Sequence, residues 1–182
     1  RGVTNKQVRE FDIRFANNRV VFVFRSLQGD PVGVILRRTD GGKPRYQKLG
    51  DVSQLWPLER LSRCKGFPLI VEGPFGVLKS RLAGFDSFAL LRAAPSRKTI
   101  RMLGGLYPIT FLDDNPTGRI GALKMFVLCS SKVVIPGGEV DELSLSEIKK
   151  RDEITVVTTE NIKYKTTFSV NTISIIYRSQ EF

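Results

Sequence analysis

Three acidic side chains follow short apolar segments of this sequence and are candidates for metal chemistry. Glu72 ends the segment PLIVE, and Asp113 and Asp114 end ITFLDD. Ligands of an open parallel sheet bind beyond the carboxyl ends of its strands, so acids at two neighbouring strand ends can share a divalent cation. Mg²⁺ takes oxygen ligands and keeps water and substrate phosphates in its other positions. Alternatively, each acid caps a helix N-terminus, where acids are also favoured.

The composition excludes several other chemistries. The 182 residues include no histidine, which rules out imidazole metal ligands, Ser-His-Asp triads and imidazole acid–base catalysis. The two cysteines, Cys64 and Cys129, are far apart and predict free thiols in a reduced, intracellular setting. No apolar run approaches the roughly 20 residues of a membrane span, and the first ten residues have no signal-peptide core. We therefore expect a cytoplasmic protein without a membrane partner.

The positive charge is concentrated in the first two-thirds of the chain. Residues 1–66 carry 14 basic and 6 acidic side chains, residues 67–132 carry 9 and 4, and residues 133–182 carry 6 and 8. A basic region of this size favours a nucleic-acid partner, because each phosphate neutralised releases counterions. The alternative is a solvated basic surface. Both interpretations also apply to one local cluster of basic residues, which comprises Arg92, Arg97, Lys98 and Arg101.

The elements that would position these residues fall into two patterns. Residues 4–15 predict a short helix capped by Thr4. Residues 19–25 and 32–38 are rich in β-branched and aromatic residues and predict a hairpin, followed by a third strand in RYQKLG. From Phe67 onward, apolar strands alternate with helices of about ten residues, which is typical of a mostly parallel sheet. Residues 143–151 predict a capped helix, and the remainder predicts two or three strands.

Two parts of the sequence resemble known protein families. LIVEGPFGVLKSRLAGFDSFALL followed by FLDDNPTGRIGALKM resembles the Toprim domain, whose motifs are a strand-ending Glu-Gly and a later Asp-x-Asp-x-x-Gly. Upstream, RGVTNKQVREFDI, RVVFVFRSLQGDPVGVILRR, RYQKLG and LWPLERL resemble, in order, segments of bacterial and phage DnaG-type DNA primase catalytic cores. The resemblance covers about residues 1–150 and implies Toprim-containing primase chemistry.

That resemblance implies site residues and a reaction. A 3′-hydroxyl would attack the α-phosphate of a nucleoside triphosphate, aided by Mg²⁺ or Mn²⁺. Glu72 and Asp113 would be catalytic and metal-binding, and Asp114 and Asp141 would be further metal ligands. The resemblance and the charge pattern together imply a set of template-binding and triphosphate-binding residues, which comprises Arg37, Arg38, Arg45, Tyr46, Lys48, Arg92, Arg97 and Lys98.

The sequence departs from the family at the metal site. Gly76 stands where the family commonly has Asp, Asn115 stands where the second Asp of the pair belongs, and Arg92-Ala93 replaces a Gly-Thr. Each lost carboxylate removes a charge on which a hard cation relies, so weak metal binding is expected.

We therefore predict an α+β protein with three parts. Residues 1–66 form a small basic α+β lobe, residues 67–150 a Toprim-like α/β lobe with a mostly parallel sheet, and residues 151–182 a β-rich extension. Trp56 and Pro57 are predicted to pack between the lobes.

The leading functional hypothesis is a DNA primase-type nucleotidyltransferase core acting on single-stranded DNA during replication, with weakened catalysis. Its partners would be the template, nucleoside triphosphates and a replicative helicase, in a bacterial cell or a phage-infected host. One alternative is a non-catalytic Toprim-derived subunit of a replication complex that binds nucleic acid or a protein partner. A Toprim nuclease, which would use the same acids, is the third.

Overall fold

The amino-terminal part of the chain begins with one short helix that leads into a strand. The computed structural model describes residues 3–52, 55–92, 95–111, 116–129, 131–134, 140, 142–149, 156–157, 165–169 and 172–176. Helix α1 (Asn5–Glu10) is capped by Thr4, as predicted, and a capping box forms between Thr4 and Gln7. The helix is shorter than the predicted 4–15, because Asp12 adopts a φ of 49° and the chain turns into strand β1 (Ile13–Ala16).

Strand β1 belongs to a four-stranded antiparallel sheet in the order β1-β2-β3-β4. The remaining strands are β2 (Arg19–Arg25), β3 (Pro31–Arg38) and β4 (Tyr46–Gly50), which confirms the predicted hairpin and third strand. The register places one set of side chains on what we call the inner face: Val20, Phe22, Phe24, Ile35, Arg37, Tyr46 and Lys48. The outer face carries the alternate residues: Val21, Val23, Val34, Leu36, Arg38, Gln47 and Leu49.

The second sheet has five strands in the order β6-β5-β7-β8-β9, with β6, β5, β7 and β8 parallel and β9 antiparallel. Its strands are β5 (Leu69–Val71), β6 (Ser87–Ala89), β7 (Ile109–Phe111), β8 (Lys132–Val134) and β9 (Val156–Val157). Three helices connect the parallel strands: α2 (Pro74–Leu82), α3 (Arg97–Leu103) and α4 (Pro116–Cys129). This alternation confirms the mostly parallel α/β prediction.

The chain continues with α5 (Leu145–Lys149) and an antiparallel hairpin of β10 (Lys165–Ser169) and β11 (Thr172–Ile176). Helix α5 has the predicted cap, because the Ser144 hydroxyl accepts from the Glu147 amide and the Glu147 carboxylate accepts from the Ser144 amide. The three strands after residue 150 agree with the predicted β-rich extension. None of the helices in the described ranges is long and apolar enough to cross a membrane.

Helices cover both faces of the five-stranded sheet. Val71 packs in one core cluster with Val77 and Leu78 of α2 and with Ile148 of α5. The preceding residue of the strand, Ile70, points to the opposite face and belongs to the second core cluster. That cluster contains residues of the opposite helices α3 and α4, among them Leu103, Ala122 and Met125.

Trp56 joins the two sheets. Its side chain is 1% exposed, and its indole Nε1 donates a 2.9 Å hydrogen bond to the Val23 carbonyl of β2. Its backbone exchanges two hydrogen bonds with Ala89 of β6, at 3.1 and 2.7 Å. The edge of the Phe22 ring meets the Trp56 ring at 5.4 Å between centroids. Trp56 is therefore a packing residue between the lobes, as predicted.

Candidate functional site

The two strands expected to carry the acids are neighbours. Strands β5 and β7 run parallel, and Val71 pairs with Phe111 at their carboxyl ends. Glu72 follows β5 directly and so stands at this edge of the sheet. Asp113, Asp114 and Asp141 lie outside the described residues. The strands thus have the expected arrangement, and the positions of those three carboxylates stay predictions.

Glu72 has an incompletely satisfied carboxylate. Its Oε2 atom is buried and has no hydrogen-bond partner among the described residues. A buried acceptor without a partner is costly, and a bound ion is one feature that satisfies such an atom. No group of three acidic, Cys or His residues that could hold a metal occurs in the described part of the chain. Glu72 therefore offers one oxygen ligand, and Asp113, Asp114 and Asp141 stay predicted ligands.

Arg37 extends from the four-stranded sheet to the start of α2. It is 8% exposed, and its Cζ lies 4.5 Å from the centroid of the Phe75 ring and 5.4 Å from that of Tyr46. Both distances are within the range of cation–π contact. Phe75 follows Glu72 by three residues, so Arg37 brings a fixed positive charge to the same region as that acid.

Lys48 makes a second connection between the sheets. Its Nζ donates a 3.2 Å hydrogen bond to the carbonyl of Leu91, and the amide of Leu91 donates a 2.9 Å bond to the carbonyl of Glu72. Leu91 has a φ of 59°, an uncommon backbone conformation for a bulky residue. Such outliers cluster at functional sites. Leu91 thus connects the Lys48 side chain to the Glu72 backbone through two hydrogen bonds.

Tyr46 and Arg45 lie next to Arg37. Tyr46 is the cross-strand partner of Arg37 and is exposed. The Arg45 guanidinium lies 5.8 Å from the Tyr46 ring centroid. The Tyr46 ring is therefore in contact with two guanidinium groups. We call this surface, formed by Arg37, Arg45, Tyr46, Lys48 and Glu72, the cleft.

Arg38 does not join the cleft, although the sequence analysis grouped it with Arg37. Successive strand residues point to opposite faces, so Arg38 lies on the outer face. There it makes two hydrogen bonds to Asp40, of 2.8 and 2.7 Å. Hydrogen bonding from Arg38 holds the pKa of Asp40 well below its usual range. The charge of Arg38 is thus largely neutralised by its neighbour.

The other predicted basic residues follow β6. Arg92 is exposed and directly follows Leu91. Arg97 and Lys98 occupy the exposed first turn of α3, whose cap is Ser96, with the Thr99 amide donating to its hydroxyl at 3.1 Å. None of the three basic residues forms an ion pair within the part of the chain that the structure describes.

Gly76 has a packing role at the position where the resembled family carries Asp. A Cβ atom added there would lie 3.3 Å from Cβ and Cγ2 of Val71 and 3.7 Å from Cβ of Val140. The glycine therefore lets α2 approach β5 closely. Restoring an acid at this position would crowd the core unless Val71 moved.

Two residues that contact the cleft were not identified from the sequence. The Phe75 ring makes a cation–π contact with the Arg37 guanidinium, and the Leu91 carbonyl accepts a hydrogen bond from Lys48. The only sequence signal for Phe75 was its position, three residues after the candidate acid Glu72. The role of Leu91 depends on a backbone atom, which the residue type does not reveal.

Comparisons with known proteins identify the fold. No protein-family model matches the chain, and no curated protein matches its sequence significantly. Solved structures do match. One is a DnaG primase catalytic domain bound to single-stranded DNA, with 16% identity and a TM-score of 0.61, covering 83% of this chain and 61% of that one. Another is the E. coli primase catalytic core, with 18% identity and a TM-score of 0.60, covering 79% and 54%.

A third match is the RNA polymerase domain of Mycobacterium tuberculosis primase DnaG, in complex with a double-stranded DNA oligomer with a 6-nucleotide overhang. It has 21% identity and a TM-score of 0.61 and covers 82% of this chain and 60% of that one. The chain therefore spans between 54% and 61% of these solved chains. At these identities the likeness shows the fold, which is that of a DnaG-type primase catalytic core.

Proposed function

We propose that the cleft binds single-stranded DNA and nucleoside triphosphates, and that the chain is a primase-type nucleotidyltransferase core acting in DNA replication. The observation that carries the proposal is the meeting of two sheets at Glu72. Arg37 and Lys48 come from the basic sheet, and Glu72 comes from the carboxyl edge of the parallel sheet. Phosphoryl transfer needs cationic groups on the phosphates and carboxylates that hold a metal, and this arrangement supplies both kinds of group.

Four of the five cleft residues have a role in this proposal. Arg37 is fixed between two aromatic rings and would hold a phosphate group with little loss of side-chain entropy. Lys48 would contact a phosphate as a point charge, and the exposed Tyr46 ring offers a surface for a base. The unpartnered Oε2 of Glu72 fits a divalent cation, with Asp113, Asp114 and Asp141 as the remaining Toprim-type ligands. The cation, when bound, neutralises charge on the reacting phosphates.

The structural relatives support nucleic acid as the ligand. One of the matched primase domains is bound to single-stranded DNA, and another to a duplex with a single-stranded overhang. The net charge of +11 suits the same kind of ligand. A replicative helicase is a further proposed partner, on the sequence resemblance alone.

A non-catalytic subunit that binds nucleic acid is the second candidate function. The packing of Gly76 against Val71 and Val140 favours it, because an acid at that position of the family's metal site would crowd Val71. A nuclease would use the same acids but has no need of Arg37 and Lys48 from the other sheet. The cleft therefore argues against the nuclease.

The test measures DNA binding and primer synthesis separately. We expect binding of single-stranded DNA that weakens with salt, weak primer synthesis in Mg²⁺, and more synthesis in Mn²⁺, which binds oxygen sites more tightly. Glu72→Gln keeps the shape of the side chain and should abolish synthesis while retaining DNA binding. The matched control is Asp30→Asn, at an exposed acid in the turn between β2 and β3.

Each of the other outcomes identifies a different function. Intact DNA binding with no synthesis in either metal, and no Mn²⁺ uptake by calorimetry, means a non-catalytic subunit. Metal-dependent degradation of labelled DNA, abolished by Glu72→Gln, means a nuclease. Absence of DNA binding contradicts the assignment of the cleft.

A further inference from the structure

Helix α3 carries a basic surface that no acid within the described ranges neutralises. Arg97, Lys98 and Arg101 are all exposed, and none has an ion pair in the described ranges. Residues 87–112 include four basic side chains and no acidic one. Arg101 lies four residues after Arg97 and three after Lys98, so like charges share one helix face. Such pairs destabilise an isolated helix, and a bound polyanion would offset that cost.

The same helix links the two ends of the parallel sheet. It begins a few residues after Leu91 and Arg92, at the carboxyl ends of the strands where the cleft lies. It ends at Leu103 and leads to the start of β7 at Ile109, at the opposite end. Seven residues of α-helix span about 10 Å. The basic surface therefore runs from the carboxyl edge of the sheet, where the cleft lies, toward its amino-terminal edge, on the face opposite α2.

Two exposed aromatic side chains lie at that edge. Phe67 precedes β5 and is 64% exposed, and Tyr107 precedes β7 and is 59% exposed. Each stands two residues before the cross-strand pair Leu69 and Ile109. The Ile109 amide also donates to the Pro68 carbonyl at 2.9 Å, which holds the two chain segments side by side. Exposed aromatic rings and basic residues are the two components of a single-strand binding surface.

We propose that single-stranded nucleic acid leaving the cleft passes Arg92, follows Arg97, Lys98 and Arg101 along α3, and stacks its bases on Tyr107 and Phe67. We call this surface the α3 track. It rests on the proposed function, in which the cleft binds the single strand. A basic surface alone would suit an acidic peptide equally well. Continuity with the cleft and the two exposed rings at the far end favour a nucleic acid, whose bases stack on aromatic side chains.

The test compares single-stranded DNA probes of about 6 and about 16 nucleotides, which lie within the range of known single-strand site sizes. The short probe fills the cleft, and only the long probe reaches the α3 track. In Arg97→Gln/Lys98→Gln/Arg101→Gln, the salt slope of long-probe binding should fall by about 2, since each lost phosphate contact contributes about 0.7. Short-probe binding should be unchanged. Lys6→Gln/Arg9→Gln/Lys149→Gln removes the same charge from α1 and α5 and should affect neither probe.

A second pair of variants tests the rings. Phe67→Ala/Tyr107→Ala should weaken long-probe binding by about tenfold or more, while Tyr107→Phe keeps the ring and the affinity. A photoreactive 5-iodouracil near the end of the long probe that lies farthest from the cleft should crosslink to Tyr107. The same label at the centre of the probe should not. Crosslinking elsewhere overturns the α3 track. So does long-probe binding that is equal in the wild type, in the triple variant of α3 and in Phe67→Ala/Tyr107→Ala. Failure of the wild type to bind the short probe instead overturns the assignment of the cleft on which the track rests.

Discussion

Arg37 and Arg38 are adjacent in the sequence and have the same side chain, yet they belong to opposite surfaces. Arg37 on the inner face is nearly buried and stacks between Phe75 and Tyr46. Arg38 on the outer face is paired with Asp40. The difference shows that the surroundings of a basic strand residue depend on the face on which it lies, because successive strand residues point to opposite faces. A count of positive charge does not distinguish the two.

The largest expected difference between the two faces is in stability. Phe22 on the inner face is fully buried, whereas Leu49 on the outer face is 49% exposed. We expect Phe22→Ala to lower the free energy of unfolding by about 3–5 kcal/mol, because it leaves a cavity beside Trp56. Leu49→Ala should cost less than about 1 kcal/mol. Urea denaturation of both variants measures the difference, and comparable losses would mean that the outer face is covered in solution.

The next difference concerns DNA binding. Arg37→Gln should weaken single-strand binding about tenfold or more, because a fixed guanidinium in the cleft is lost. Arg38→Gln removes the same charge and should change the affinity by less than about twofold, since Asp40 already neutralises it. Fluorescence anisotropy with a labelled oligonucleotide gives both constants. Because Arg37 is buried, circular dichroism must first establish that the variant is folded.

The Arg37 and Arg38 variants also distinguish a local effect from an effect of net charge. Equal losses of affinity in Arg37→Gln and Arg38→Gln would indicate that only net charge matters and would contradict the role of the cleft. Arg37→Lys gives an intermediate case, because lysine retains the charge but lacks the planar group that stacks on two rings. We expect it to recover part of the affinity.

Lys48 should have a smaller effect than Arg37. Lys48→Met keeps most of the apolar stem and removes one phosphate contact, so the salt slope of single-strand binding should fall by about 0.7. Lys6→Met, on α1, removes the same charge away from the cleft and serves as the control. A slope that is the same in both variants would remove Lys48 from the binding surface.

The smallest effect concerns Glu59 of the 3₁₀ helix Leu58–Arg63. Burial raises the pKa of Glu59 above its usual value of 4.5, and nearby arginines oppose that rise only in part. The folded state therefore holds this proton more tightly than the unfolded state, and its contribution to stability is lost as pH rises above about 4.5. Glu59→Gln should stabilise the fold at pH 7 by less than about 1 kcal/mol, after allowance for solvent screening.

Thermal unfolding at several pH values measures the Glu59 effect. The gain from Glu59→Gln should shrink toward zero near pH 4, because the wild-type carboxyl is then protonated in both states. A gain that does not depend on pH would show that the substitution acts through packing.

Local sequence signals predicted much of the fold. The Thr4 and Ser144 caps, the β2–β3 hairpin and the alternation of strands and helices all depend on neighbouring residues, and the structure contains each of them. The helix through 4–15 was predicted too long, because apolar residues at helical spacing also fit the strand that begins at Ile13. A turn at Asp12 decides between the two, and its positive φ could not be inferred from the residue type.

The candidate site was less predictable because it depends on contacts between distant segments. Glu72 and Lys48 were identified from their residue types, but Leu91 joins them through its backbone. Arg38 was grouped with Arg37 because both are basic, without regard to the alternation of the strand. The packing of Gly76 against Val140 likewise joins residues 64 positions apart in the chain.

The hydrogen bonds of Trp56 have a spectroscopic consequence. It is the only tryptophan of the chain, and its ring is buried between the two sheets and bonded to the Val23 carbonyl. Its fluorescence emission therefore reports on one place, the junction between the sheets, with no background from other indoles. A ligand that fills the cleft without moving the sheets should leave the emission maximum unchanged, whereas separation of the sheets should shift it to the red. The protein thus carries an intrinsic optical probe of its own lobe arrangement.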